Sequence, residues 1–318
     1  MKIPKELFID TRAYLNIIFS GIFFTFLYNW AAGLLRALGN SKVPLYFLIL
    51  AAIINVVLDL VFVIIFNMGV SGTALATVIA QFISAILCII YCIKKLEFLK
   101  FKLKEFKFDK EIFKLTASYS LLTSIQQSIM NFGILMIQGL VNSFGVAPMA
   151  AFAAAVKIDS FAYMPVQDFG NAFSTYIAQN KGGAKKDERI RSGIKASLKI
   201  VTIFCIIISL VVWTMADKFM LIFINPTEYQ VIKIGVEYLR IVCTFYCFIG
   251  YLFMFYGLYR GLGKVKMSIV LTIISLGLRV ALAFITAPYL GLIGIWWAIP
   301  IGWIIADTVG MIYYKFIS

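Results

Sequence analysis

The sequence predicts an all-α polytopic membrane protein, and three observations carry that prediction. The chain is 62% hydrophobic and only 14% charged, with a mean hydropathy of +0.94, far more apolar than a soluble domain. Its apolar residues gather into nine runs, each long enough for a helix to cross a bilayer. The runs are continuous rather than alternating, which excludes a transmembrane β-barrel.

In order, the runs cover 13–38, 44–66, 71–93, 113–142, 146–179, 192–215, 234–261, 266–288 and 291–315. The fifth is long and interrupted by Pro165, which predicts a kink there. The connections alternate in charge. Arg36 and Lys42 follow run one. After run three, Lys94 to Lys114 holds eight lysines against four acids. Lys181, Lys185, Lys186, Arg189, Arg191 and Lys195 follow run five. Arg260, Lys264 and Lys266 follow run seven, and Lys315 ends run nine. The connections 67–70, 143–145 and 289–290 carry no charge, and 216–233 is nearly balanced. The positive-inside rule then places the basic loops and the C-terminus in the cytoplasm and residue 1 outside, in a multi-pass cell-membrane protein.

The formal net charge of +14 is thus a matter of topology. The basic residues sit in short loops with no aromatic-basic groove pattern, so the lipid bilayer, not nucleic acid, is the expected partner. Histidine is absent, which removes imidazole proton relays, His-ligated metals and His-dependent triads. The five cysteines (Cys88, Cys92, Cys205, Cys243, Cys247) lie in apolar runs without a C-x-x-C, and read as reduced packing residues. The first twelve residues are polar and mixed in charge, unlike a secretory signal peptide. No cofactor is expected, and no paired carboxylates or histidines suggest an enzyme.

The chain also repeats itself. Gly33-Leu-Leu-Arg36-Ala-Leu-Gly39 returns as Gly257-Leu-Tyr-Arg260-Gly-Leu-Gly263, and Tyr14-Leu-Asn-Ile17 as Tyr238-Leu-Arg-Ile241, both at an offset of 224. Gly69 to Ala76 matches Gly291 to Ala298 at an offset of 222. The offset spans six helices, an even number, so the copies are parallel. That is a transporter architecture with the substrate path between halves. Residues 113–318 make a complete six-helix unit. Residues 1–95 match only its last three helices, with 96–112 as a basic cytoplasmic linker. The sequence therefore reads as nine helices of a twelve-helix protein, the equivalent of 113–232 being expected upstream.

Run two holds the most informative polar residues. Asn55 and Asp59 are four apart, on one helical face inside hydrocarbon. Such a carboxylate normally faces a cavity or a partner and marks an ion or substrate path. Counting from the tight turn between runs two and three, Asp59 lies level with Thr77 to within roughly 2 Å at the helical rise, and Asn55 with Gln81. The cluster Asn55, Asp59, Thr77, with Gln81 as neighbour, offers oxygen ligands suited to a hard cation or a proton. The same groups would also serve as mutual hydrogen bonds between packed helices. In the second half, Gln126, Gln127, Asn131, Gln138 and Asn142 on run four either line a polar cavity or join helices. Lys157, Asp159, Asp168, Arg279 and Asp307 are further ionisable candidates, Asp159 among those for a substrate cavity. Lys157 and Asp159, two apart, are poorly placed to pair on one helix. The repeat equivalents of Asn55 and Asp59 are Arg279 and Ala283, so the two halves are chemically unequal. Trp296 and Trp297 fall near the expected outer interface, where aromatic belts form; an aromatic cavity for organic cations is the other use of such side chains.

Several of these segments resemble the multidrug and toxic compound extrusion (MATE) transporters. The likeness is carried by Gly33 to Pro44, Asn55-Val-Val-Leu-Asp59 and Gly69 to Thr77. In the second half it is carried by Gln126-Gln127-Ser128, Gln138 to Gly145, and Met164-Pro165 running to Gln179-Asn180-Lys-Gly182. It covers essentially the whole chain and implies a MATE-like two-lobe bundle of parallel six-helix repeats, of which this chain resembles helices four to twelve. It implies antiport of small organic, often cationic, compounds against H+ or Na+. The family's cation site of an Asn and an Asp four apart, with a Thr on the next helix, matches Asn55, Asp59 and Thr77. The family's first-helix aspartate has no counterpart here, and Gln126 and Gln127 stand where another branch carries an acid. The Gln179-Asn180-Lys-Gly-Gly-Ala loop departs from the family pattern by one extra residue. The alternatives are a lipid or lipid-linked oligosaccharide flippase of the same superfamily, expected to carry more cavity cations than Lys157 and Arg279, and an inactive truncated transporter.

Overall fold

The computed structural model describes residues 8–96, 108–181 and 186–317. Most of the expected linker 96–112 and the Gly-Gly-Ala of the 179–184 loop lie outside them. The described residues form eleven α-helices. Seven of these are long and apolar enough to cross a membrane singly, and the count rises to nine where each of two bent helix pairs is taken as one span. The chain divides into two compact units, Met1–Phe108 and Asp109–Ser318.

The first unit holds α1 (Phe8–Ser20), α2 (Ile22–Ala37), α3 (Lys42–Leu60) and α4 (Gly69–Lys95). Expected run one is bent by 42° between α1 and α2. The bend falls at Gly21, where a Cβ would come within 2.5 Å of Val78 on α4. Small side chains likewise let α2 and α4 approach closely, with Ala31, Ala32 and Leu35 packed against Ala85, Cys88 and Cys92. α3 ends in a π-turn, Val61–Ile65, directly after Asp59.

The second unit holds α5 (Lys110–Asn142), α6 (Val146–Lys181), α7 (Lys186–Met220), α8 (Tyr229–Cys243), α9 (Tyr246–Gly261), α10 (Val265–Leu290) and α11 (Leu292–Ile317). Asp109 caps α5 by accepting from the amides of Glu111 and Ile112 at 2.8 and 3.0 Å. α6 runs unbroken through Pro165. The second break is instead the 56° bend between α8 and α9. Trp296 is fully buried, stacked on Phe152 at 5.4 Å, whereas Trp297 is exposed. Only one of the pair therefore suits an interfacial belt. All five cysteines are free.

The sequence repeat returns as backbone conformation. At the offset of 224, the break at Gly21 corresponds to Phe245, which caps α9. After α2, Asn40 N donates to Leu35 O and Gly39 N to Arg36 O. After α9, Lys264 N donates to Tyr259 O and Gly263 N to Arg260 O. Gly39 and Gly263 carry φ of 84° and 76° at the centre of these turns, a left-handed conformation that glycine adopts without a Cβ penalty.

Candidate functional sites

In the first unit two of the residues singled out by sequence, Asn55 and Thr77, are in contact. Asn55 Nδ2 donates to Thr77 Oγ1 at 3.4 Å, so Asn55 reaches Thr77 rather than the Gln81 that counting from the turn set level with it. Two local features explain this. α4 begins at Gly69, earlier than the apolar pattern suggested, which sets Thr77 deeper. The π-turn after Asp59 also packs more residues per turn than an α-turn, drawing Asn55 and Asp59 towards the loop. Thr77 spends its proton on Thr73 O at 3.0 Å, leaving its oxygen lone pairs to face α3. Asp59 Oδ1 and Gln81 Oε1 are buried and have no hydrogen-bond partner. Oxygens left unsatisfied in this way mark a place where a cation or proton gains most.

The second unit encloses a cavity of about 220 Å3 whose wall includes Gln127, Asn131, Asp159, Tyr238, Arg279 and Trp303. Asp159 is 6% exposed. Its Oδ1 accepts from the Tyr246 hydroxyl at 2.6 Å and its Oδ2 from the Tyr238 hydroxyl at 3.1 Å. Tyr238 is itself held edge-on to Trp296 and Phe152. Sequence reasoning missed the two tyrosines as partners of Asp159. Their spacing of eight, two turns along one face, is interrupted by the break between α8 and α9.

Not every polar candidate reaches this cavity. Gln126 is buried and donates to Thr272 Oγ1 at 3.0 Å, joining α5 to α10. Gln138 donates to Asn142 within α5 at 2.8 Å, exposed and away from the cavity wall. Those three are helix-joining or surface amides, whereas Asn131 and Asp159 line the cavity. Lys157 is exposed, with its ammonium over the Phe223 ring at 5.9 Å, and Asp168 is exposed. Asp307 is buried with neither oxygen partnered, on the wall of a larger, mostly apolar crevice of about 580 Å3.

Comparison with known proteins agrees with this architecture. The MatE family model matches residues 2–61 and 120–285. The chain is 30% identical over 321 residues to the probable multidrug resistance protein YpnP of Bacillus subtilis (strain 168), covering 99% of this chain and 70% of that one. It is 21% identical over 291 residues to the multidrug export protein MepA of Staphylococcus aureus (strain MW2), covering 92% of this chain and 64% of that one. Among solved structures, it superposes with a TM-score of 0.89 and 22% identity on an outward-facing multidrug resistance MATE family transporter, covering 96% of this chain and 68% of that one. A MATE protein in complex with MaL6 gives a TM-score of 0.91 at 22% identity, covering 99% of this chain and 71% of that one. The family match and the similarity to YpnP, together with nine apolar spans in a repeated helical fold, establish that this chain belongs to the MatE family of membrane transporters.

Proposed function

We propose that the protein exports small organic compounds across the cell membrane by alternating access, in exchange for H+ or Na+ bound at Asp59, Asn55 and Thr77. In this reading residues 1–95 contribute to one lobe and 113–318 form the other. The observation that carries it is the buried, unpartnered Asp59 Oδ1, one turn along α3 from the Asn55–Thr77 pair. A carboxylate in an apolar helix is costly to keep, and a bound cation or proton offsets that cost. Gln81 Oε1, equally unpartnered, supplies a further oxygen for the ion. Support for the class of cargo comes from YpnP and MepA, whose names describe multidrug resistance and export.

The test is efflux of a cationic dye from proteoliposomes under an imposed pH or sodium gradient. Asp59→Asn keeps the shape of the side chain and removes its charge. It is expected to cut gradient-driven efflux by about tenfold or more, in keeping with loss of a buried charge interaction of at least 1.4 kcal/mol. Efflux equal to the parent protein would reject the assignment. Which of the two gradients drives transport identifies the coupling ion.

A further inference from the structure

The second unit buries a guanidinium that makes no close ion pair among the described residues. Arg279 on α10 is 9% exposed and lines the 220 Å3 cavity. Its Nε is buried with no hydrogen-bond partner. Among the described residues no carboxylate lies within ion-pair distance of it, and Arg240–Asp217, at 2.9 Å, is the ion pair found there. Asp159, on the same cavity wall, is already engaged by two tyrosine hydroxyls. The oxygens of Asp159 are therefore hydrogen-bonded within the protein, while Arg279, which Asp159 offsets only from a distance, keeps a donor without an acceptor. A buried guanidinium keeps its charge, and its planar fork matches a carboxylate with two parallel hydrogen bonds.

The repeat explains how this arises. At offsets of 224 and 222, Arg279 stands where Asn55 stands in the first unit, Ile299 where Thr77 stands, and Trp303 where Gln81 stands; all three line the cavity. Ala283 takes the place of Asp59. In the first unit Asn55 is held by Thr77. In the second, the apolar Ile299 offers Arg279 nothing. The same place in the fold has exchanged an acid for a base and lost its oxygen ligands.

We infer that this cavity binds the carboxylate of a small organic anion or zwitterion, with Arg279 as the charged partner and the amides of Gln127 and Asn131 completing the polar wall. The cavity volume of about 220 Å3 has room for a single ring or short chain. Asp159 on the same wall disfavours a dianionic phosphate and so selects a monoanion. The inference goes beyond cation coupling at Asp59 and does not depend on it, since binding here needs no gradient.

Equilibrium dialysis of radiolabelled benzoate against the purified full chain in detergent tests it, with benzamide and benzylamine as neutral and cationic isosteres. Saturable benzoate binding is expected, at least tenfold tighter than either isostere. Arg279→Gln is expected to weaken benzoate at least tenfold without changing benzamide. Asp159→Asn is expected to tighten benzoate several-fold by removing the competing charge. Equal binding of benzoate and benzamide overturns the proposal, as does benzoate binding that survives Arg279→Gln or weakens in Asp159→Asn. Displacement of benzoate by inorganic phosphate at lower concentration than by acetate overturns the choice of carboxylate in favour of a phosphate headgroup or free phosphate. If Arg279→Gln does not fold, Arg279→Lys replaces it. The lysine keeps the charge but not the fork, so several-fold weaker binding is expected and unchanged binding overturns the inference. Because no gradient is imposed, this result stands or falls separately from the efflux result for Asp59.

Discussion

At the scale of single residues, the protein concentrates its unsatisfied polar atoms in a few places. Asp59 Oδ1 and Gln81 Oε1 lie in the first unit; Gln126 Oε1, Arg279 Nε, Trp296 Nε1 and both oxygens of Asp307 lie in the second. A buried polar group without a partner costs about 1–3 kcal/mol, so each is a place where function or a ligand is expected to offset the cost. Asp307 offers a direct test. It is 5% exposed on the wall of the larger crevice, which leaves room for added bulk, and Asp307→Leu, with the same branching and apolar, is expected to raise the melting temperature in detergent by a few degrees. About 2–4 °C per kcal/mol is usual for a chain of somewhat smaller size. A fall instead would mean that the carboxyl has a stabilising partner.

At the scale of elements, close backbone approach decides where helices cross. α6 and α9 meet at Gly170, where a Cβ would lie 2.6 Å from Phe253 O, and at Gly261, where a Cβ would lie 2.6 Å from Ser174 O. Backbone atoms cannot step aside as side chains do. Gly170→Ala is therefore expected to destabilise the second unit by about 1–3 kcal/mol through overpacking. Gly139 on α5 has nothing within 4 Å of its would-be Cβ, so Gly139→Ala is expected to be neutral or to stabilise by up to about 1 kcal/mol through helix propensity. Thermal melting of the two variants side by side checks the contrast. Equal melting temperatures would remove the role given to the α6–α9 crossing. The breaks in the helices follow the same logic. Proline did not break α6, whereas Gly21 against Val78 marks the bend between α1 and α2.

At the scale of the whole molecule, hydropathy and charge decide how the chain meets its surroundings. α3 leaves most of its apolar side chains exposed, Ile53, Val56 and Val57 among them, a surface suited to lipid chains. The basic connections all follow odd-numbered spans, which predicts a cytoplasmic C-terminus. A fluorescent protein fused after Ser318 is expected to fluoresce in cells, and alkaline phosphatase fused at the same point to be inactive. The reverse pattern would overturn the orientation. Across that same length the chain spans 64–70% of YpnP and MepA.

Much of this was legible from sequence. Nine continuous apolar runs mark nine spans because a helix in lipid must be apolar along its whole length. The repeat was legible because turn glycines and flanking residues keep their types, and the approach of α3 and α4 at Asn55 and Thr77 because a tight hairpin turns counting into approximate depth. What sequence did not reveal depends on partners far along the chain. The partner of Asn55 shifted by a turn because a π-turn and an early start of α4 changed the register. Asp159 found Tyr238 and Tyr246 only once α8 and α9 bent and packed on α6. Sequence by itself determined that this is a repeated, many-span helical membrane protein with an acid, Asp59, in one half that has no equivalent in the other, and a base, Arg279, there at the place of Asn55. Only the tertiary structure decided that the acid and the base are both left short of partners, because satisfaction of a buried polar group is a property of what packing brings within hydrogen-bond reach.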